Sequence, residues 1–400
     1  MTAVAPDAVA GFRRGWWPVL QATLLLIGFA VAPPPAVADT LRVGPQRELK
    51  TIAAASQLAR DGDTVRVDAG EYHADVAVWT QQRLTLRTEG GRVRLLATGA
   101  AAEGKAIWVI RNGSFDVEGF DFEGAAVPDG NGAGIRFERG HLRLRDCRFL
   151  RNEMGVLTGN DPAAVLEVEA SEFADNLQRE GYNHLLYAGT IARLEVRASY
   201  FHHARSGHLL KSRAALSRIF YNRLSDEAGG NASYELEFAN GGVAEVVGNI
   251  VQQGAATENP VIVSYGAEGY RWPENALRMV HNTLVNELPG GAIFLRVRPG
   301  SNVALTLAGN LLVGPGSGGA FDTEPAGANP RVPLADLMAP ASGDFRLRHT
   351  SAEWQKASAL TGDAERLRPT QQYQHPRSAA ALEGQIRNPG ALQDNTARPR

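Results

Sequence analysis

Between Phe115 and Val313 one cue recurs: a short alternating strand, a polar or small turn, one apolar anchor, then a polar break. It reads FDVEGFDFEG from 115, LRLRDCRFLRN from 142, LEVEASEFADN from 166, LEVRASYFHHA from 194, AEVVGNIVQQG from 244, LRMVHNTLVNE from 277 and LTLAGNLLVG from 305. The anchors are Phe122, Phe149, Phe173, Phe201, Leu224, Val251, Leu284 and Leu312, so the spacing runs 27, 24, 28, 23, 27, 33 and 28. A repeat of this length marks stacked supersecondary units, none of which can bury its apolar face alone. The strands alternate, but no helical stretch long enough for a crossover separates them, which excludes a doubly wound sheet. A coil of parallel strands remains.

These repeats resemble the right-handed parallel β-helix of the pectin-lyase-like superfamily over roughly residues 40 to 345. The fold expected is therefore an all-β solenoid with an N-terminal capping helix and an irregular C-terminal tail. GDTVRVDAGEYHADV, from Gly62 to Val76, looks like an opening rung. Before it, Leu49, Ile52, Ala53, Leu58 and Ala59 share a helical face that can cover the open end of the core and shield it from edge pairing. Asn222, Asn249, Asn282 and Asn310 each stand two residues before an anchor. Asn tolerates left-handed backbone and bonds neighbouring peptides, so these read as a structural turn ladder.

A length of 400 residues with 44% hydrophobic content suits one elongated solenoid. The formal charge of −2 offers no bulk attraction to nucleic acid. Lys50, Lys105, Lys211 and Lys356 are the only lysines, so arginine carries nearly all the positive charge. Cys147 is the lone cysteine, which excludes an internal disulfide and a Cys-based zinc site; inside its rung it reads as a buried thiol. At the start, Arg13 and Arg14 precede an apolar run from Trp16 to Ala32, and Ala36-Val37-Ala38 supplies a small-x-small cleavage pattern. The expected organisation is a leader over 1–38, a β-helix over 39–345 and a capping segment and tail over 346–400. The chain is then a periplasmic or secreted monomer, without stable membrane insertion once the leader is removed.

Polar residues concentrate mid-solenoid. NHLLY from Asn183 and GHLLK from Gly207 echo each other at 24 residues, which stacks His184 on His208 and Tyr187 on Lys211. A further 24 residues along, Glu235 falls in line with Lys211. Around them lie Arg205, Arg213, Arg218 and Tyr221, groups suited to sugars that carry carboxylates. The insertion SYGAEGYRWPEN, from Ser264 to Asn275, brings Tyr265, Arg271 and Trp272 to a loop that can overhang a sugar groove. The alternative for each residue is ordinary solenoid structure: stacked histidines, a lysine lying over a neighbouring rung, solvated arginines and a loop built on a buried aromatic.

GHLLKSRAALSRIFYNRL, from Gly207 to Leu224, is similar to the Lys-Ser segment of the alginate lyase and chondroitinase B family. That resemblance implies Lys211 as the base of a β-elimination on a uronate, with calcium neutralising the uronate carboxylate. The next rung, NASYELEFANGG, carries Glu235 and Glu237 where that family has an Arg-His pair. Glu235 and Glu237 are candidate calcium ligands, since carboxylates two apart on a strand share a face, or else plain solvent-facing positions. The leading expectation is lyase-like action on an acidic polysaccharide, with Lys211 as base, Arg213 and Arg218 as carboxylate partners, and Tyr187 or His208 as acid. His184, Arg205, Tyr221, Tyr265, Arg271 and Trp272 complete the expected substrate contacts. Two alternatives stand beside it: a non-catalytic glycan-binding or envelope-assembly scaffold, and hydrolysis by Glu235 or Glu237 with Asp226.

Overall fold

A computed structural model describes residues 38–176, 183–257, 259–300 and 302–394. All but the last residue of the expected leader lies outside them. Among the described residues no helix is long and apolar enough to cross a membrane.

The repeats coil into a parallel β-solenoid with three faces. A typical rung runs through Arg193–Arg197 on the first face, turns into Tyr200–His202 on the second, and crosses to Leu210–Ser212 on the third before meeting the next rung at Leu216–Phe220. The first two faces form one 20-stranded sheet, because the opening strands Thr64–His73 and Arg83–Leu96 run across both; the third face is a separate 10-stranded sheet. Among the described residues the strands of the coil pair in parallel, from Thr40–Val43 on Thr64–His73 through to Leu311–Val313 on Arg331–Val332.

All eight anchors stack in one interior column on the second face. Phe122, Phe149, Phe173, Phe201, Leu224, Val251, Leu284 and Leu312 are paired rung to rung in that order. Each is buried. The four phenylalanine rings lie nearly parallel, with centroids 5.0, 4.7 and 4.6 Å apart and interplanar angles of 4°, 14° and 2°. A wholly buried phenylalanine contributes roughly 2–3 kcal/mol through removal of its surface from water. The rung spacing thus aligns the largest hydrophobic groups.

The asparagines form the expected ladder at the corner between the first and second faces. The backbone N–H of Asn222 donates to Asn249 Oδ1 at 2.9 Å, that of Asn249 to Asn282 Oδ1 at 3.0 Å, and that of Asn282 to Asn310 Oδ1 at 2.9 Å. Ser171 and Ser199 continue it toward the N-terminus and Asn329 toward the C-terminus. The reason differs from the expected one. The left-handed residue is not the asparagine but the one before it, Tyr221 at φ 57°, Gly248 at 65°, His281 at 51° and Gly309 at 67°. That twist turns the chain, and the amide then satisfies the peptide groups which the corner exposes.

The short helix Ile52–Leu58 lies against the first rung. Asp75 accepts from the N–H groups of Ile52 and Ala53, and Gln81 Nε2 donates to Ser56 O and Ala59 O. Ile52 and Ala55 face the core, whereas Leu58, expected on the buried face, is exposed because the helix ends there. Cys147 is buried, and burial pushes its thiol up to about 12, which leaves it unreactive.

Beyond Leu347 the chain runs back along the outside of the first two faces. Arg278 meets Asp363 at 3.1 Å, Arg197 donates to Gln371 Oε1 at 2.8 Å, and Ala391 N donates to Thr283 Oγ1 at 2.9 Å. This return removes Tyr221 from the expected substrate contacts. Its ring is buried with Leu360 and Ala364, and its hydroxyl accepts from Thr370 N at 3.1 Å. Arg218 is also displaced from the expected site: it stands on the first face between Glu195 and Glu245 and bonds Glu245 at 3.1 Å.

Asn249→Ala removes a buried amide that serves groups of four neighbouring residues, Asn222, Ile219, Val247 and Asn282. It is expected to cost about 3 kcal/mol of stability, from the desolvated groups it orphans. Asn329→Ala, at the half-buried end of the ladder, is expected to cost less than half as much. Urea unfolding of the two variants checks the order; equal losses would mean that the ladder is not a continuous buried element.

Candidate functional site

On the third face the backbone pairing sets an outward column of Leu157, Tyr187, Lys211, Glu237, Ser264 and Arg296. Toward the N-terminus Tyr187 packs against an apolar cluster that includes Met154 and Leu157. From Tyr187 onward the surroundings of the column are charged. The expected stacking of Tyr187 on Lys211 and of His184 on His208 is present; the two imidazoles lie 4.4 Å apart between centroids.

The next step of the expected register is wrong by two. Lys211 pairs with Glu237, not Glu235. The turn 226–235 is three residues longer than its counterpart 203–209, while the corner between Phe201 and Leu224 is one shorter than the 24-residue echo. Glu235 therefore takes the interior position that Leu209 and Ile262 fill on the flanking rungs. Its carboxyl is wholly buried beside Asp226 and Gln253, and burial together with the Asp226 charge pushes its pKa well above the ordinary range. Burial likewise raises Asp226 to about 6, although its oxygens accept from Ala232 N and Gly254 N.

Glu237 stays at the site. Its Oε2 lies 3.0 Å from Lys211 Nζ and 3.1 Å from His208 Nδ1, and despite its burial those two neighbours hold its pKa below the ordinary range. Glu235 and Glu237 thus point to different surroundings and do not form the expected shared calcium pair. Among the described residues no three His, Cys, Asp or Glu side chains converge to hold a metal ion.

Lys211 also bonds Glu268 Oε1 at 2.7 Å. Burial opposes its charge, but Glu237 and Glu268 outweigh burial and raise its pKa, so the side chain is an ammonium here. Of the two arginines expected beside it, Arg218 faces elsewhere, and Arg213 is itself bonded to the other oxygen of Glu268. Arg213 also donates to the Tyr187 hydroxyl, and its guanidinium carbon lies 5.1 Å from the centre of that ring.

The two histidines are neutral. Burial lowers His208 and overcomes the opposing pull of Glu237, while His184 is lowered further by burial and by His208, Lys211 and Arg213. His184 Nδ1 accepts the backbone N–H of His208 at 3.0 Å, which fixes it as a structural support. His208 instead turns Nδ1 toward a carboxylate, an orientation that favours N–H on that atom and a lone pair on the other nitrogen.

The insertion contributes in part as expected. Trp272 Nε1 donates to Arg213 O at 3.0 Å, which seats the loop over the site, and Arg271 is exposed on it. Tyr265 is not a groove residue; it is wholly buried in the core and bonds Gly242 O. Arg205 is exposed at the preceding corner, where its N–H donates to Asn176 Oδ1. Sequence reasoning missed Glu268, although the insertion was recognised; an acidic residue opposite a cationic rung was the available signal.

Comparison with known proteins adds the fold. No protein-family model matches the chain, and no curated protein matches it. Among solved structures it is similar to the crystal structure of the pectate lyase Pel9A, with a TM-score of 0.56 and 11% identity over 90% of this chain and 97% of that one. The chain has the pectin-lyase-like right-handed parallel β-helix fold.

The buried acid in the core makes a testable demand. A carboxyl whose folded pKa is raised binds its proton more tightly in the folded chain, so stability falls as pH rises from the unfolded pKa toward the folded one. Glu235 is expected to contribute a fall in the urea midpoint between pH 5 and pH 8, against the rise contributed up to about pH 6.5 by His184 and His208, whose pKa values are lowered in the folded chain. Glu235→Leu, which restores the apolar column, is expected to flatten that fall and to gain ~2 kcal/mol at pH 8. An unchanged slope in the variant would refute the placement of Glu235.

Proposed function

We propose that this protein acts outside the cytoplasm on an acidic, uronate-containing polysaccharide laid along the third face, and that the reaction is a lyase-like β-elimination. The observation that carries this reading is the convergence, from successive rungs, of Tyr187, Lys211, Arg213, His208 and Glu237. Further support comes from the resemblance of the Lys211 segment to uronate lyases and from the fold shared with a pectate lyase.

In β-elimination a base removes the C5 proton of the uronate, the freed electron pair forms the C4–C5 double bond, and the C4–O bond breaks toward the leaving oxygen, which takes a proton from an acid. The C5 step builds enolate-like charge on the carboxylate, and fixed positive groups lower that barrier. Lys211, as an ammonium, and Arg213 supply that charge. The proton acceptor is then neutral His208, oriented by Glu237, in place of the Lys211 base which the sequence suggests. Tyr187, held by Arg213, is the acid for the leaving oxygen.

The second reading, a glycan-binding scaffold without turnover, is favoured by one observation: the Lys211 and His208 side chains are only 10% and 7% exposed. Ultraviolet absorbance of the unsaturated product, measured with purified protein on a panel of polyuronates, separates the two. For the lyase, His208→Gln is expected to lower kcat by about 10²–10⁴-fold. Lys211→Ala is expected to lower it about 10²–10³-fold, with partial recovery in Lys211→Arg. Glycan retention without absorbance would establish the scaffold, and Lys211→Arg as inactive as Lys211→Ala would return the base to Lys211.

A further inference from the structure

Glu268 sits on top of the site. Side-chain exposure falls from 38% at Glu268 through 25% at Arg213, 10% at Lys211 and 7% at His208 to 2% at Glu237. A glycan approaching the third face meets Glu268 before it meets either cation. Both carboxylate oxygens are engaged, Oε1 by Lys211 Nζ and Oε2 by Arg213. This two-point clasp is the geometry by which a lysine and an arginine hold any carboxylate.

We infer that Lys211 and Arg213 form a subsite for one substrate carboxylate, and that Glu268 is the internal carboxylate which the substrate displaces. The inference rests on the proposed action on a uronate glycan and specifies how that glycan is chosen. Exchange of one carboxylate for another leaves the charge of the site unchanged, so Lys211 and Arg213 are never left facing Glu237 alone. A neutral sugar that dislodged Glu268 would leave a largely buried ammonium with one fewer partner, which disfavours that exchange. Glu268 therefore competes for the subsite on terms that only another carboxylate can match.

The displacement requires only the side chain. Glu268 N donates to Ala239 O at 2.9 Å and Arg271 N to Asn240 O at 3.1 Å, and Trp272 is fixed on Arg213 O, so the loop backbone is tied to the preceding rung. The exposed Glu268 side chain can rotate away while this scaffold stays in place. Occupancy by Glu268 then lowers the apparent affinity by the fraction of molecules in which the subsite is closed.

The test is affinity electrophoresis of wild type, Glu268→Gln, Lys211→Met and Arg213→Met through gels containing polygalacturonate, alginate or a neutral glucan, with unfolding midpoints measured for each. Glu268→Gln keeps the size of the side chain and removes its charge. It is expected to lower the dissociation constant for a polyuronate about tenfold, with little change in the neutral glucan gel. Lys211→Met and Arg213→Met are expected to lose retardation, and Arg213, the more exposed of the two, serves if loss of Lys211 unsettles the fold. Wild-type retardation with Glu268→Gln equal or weaker would overturn the subsite while leaving the uronate reading intact. Retardation of neither protein by any polyuronate would overturn the uronate reading and the subsite together.

Discussion

The structure depends on the transfer of register from each rung to the next. Parallel pairing alone permits slippage, and a slip of one residue exchanges the inner and outer faces of a strand. The buried ladder from Ser171 through Asn222, Asn249, Asn282 and Asn310 to Asn329 prevents this, because each side-chain oxygen accepts the backbone N–H of the preceding rung. An amide shifted by one position would leave its own groups and the corner peptides unpaired in an apolar interior. The stacked phenylalanines add the complementary apolar constraint, since their rings align only when their rungs do.

With register fixed at one corner, the third face can carry a site assembled from residues distant in sequence. Lys211 and Glu237 belong to consecutive rungs and meet at 3.0 Å; Glu268 belongs to the following loop and meets Lys211 at 2.7 Å. The ion pairs of the first face are more exposed and lie in ladders such as Arg143 with Glu167 and Arg218 with Glu245, where solvent screening makes each worth little. The third-face cluster differs in depth. Lys211, Glu237 and His208 are removed from water, so each depends on the others for its protonation state, and replacing one resets the remaining two.

The solenoid was legible because its signals are local and repeated. Anchor spacing, Asn positions and alternating strands each state one geometric rule many times, and the Phe122-to-Leu312 column follows from them. The site was legible only where a motif repeats visibly from one rung to the next. Between Asn183 and Lys211 the 24-residue echo predicts both stacked pairs, but the longer turn before Leu236 moves Glu235 inside and brings Glu237 to Lys211. No sequence period reveals where a turn absorbs extra residues. Nor does it reveal contacts from outside the repeat: Tyr221 lies under Thr370, 149 positions later, and Lys211 meets Glu268, 57 positions later. The protonation states followed the same pattern, since the arginines near Lys211 in sequence are not the charges nearest to it in space.

The central claim is that register places a carboxylate subsite at Lys211 and Arg213 on the third face. A crystal structure of the protein soaked with a short uronate oligosaccharide tests it most directly. The account predicts a sugar carboxylate between Lys211 Nζ and the Arg213 guanidinium, the Glu268 side chain turned outward, and C5 of that sugar facing His208. A sugar bound on another face, with Glu268 still clasped by Lys211 and Arg213, would contradict it.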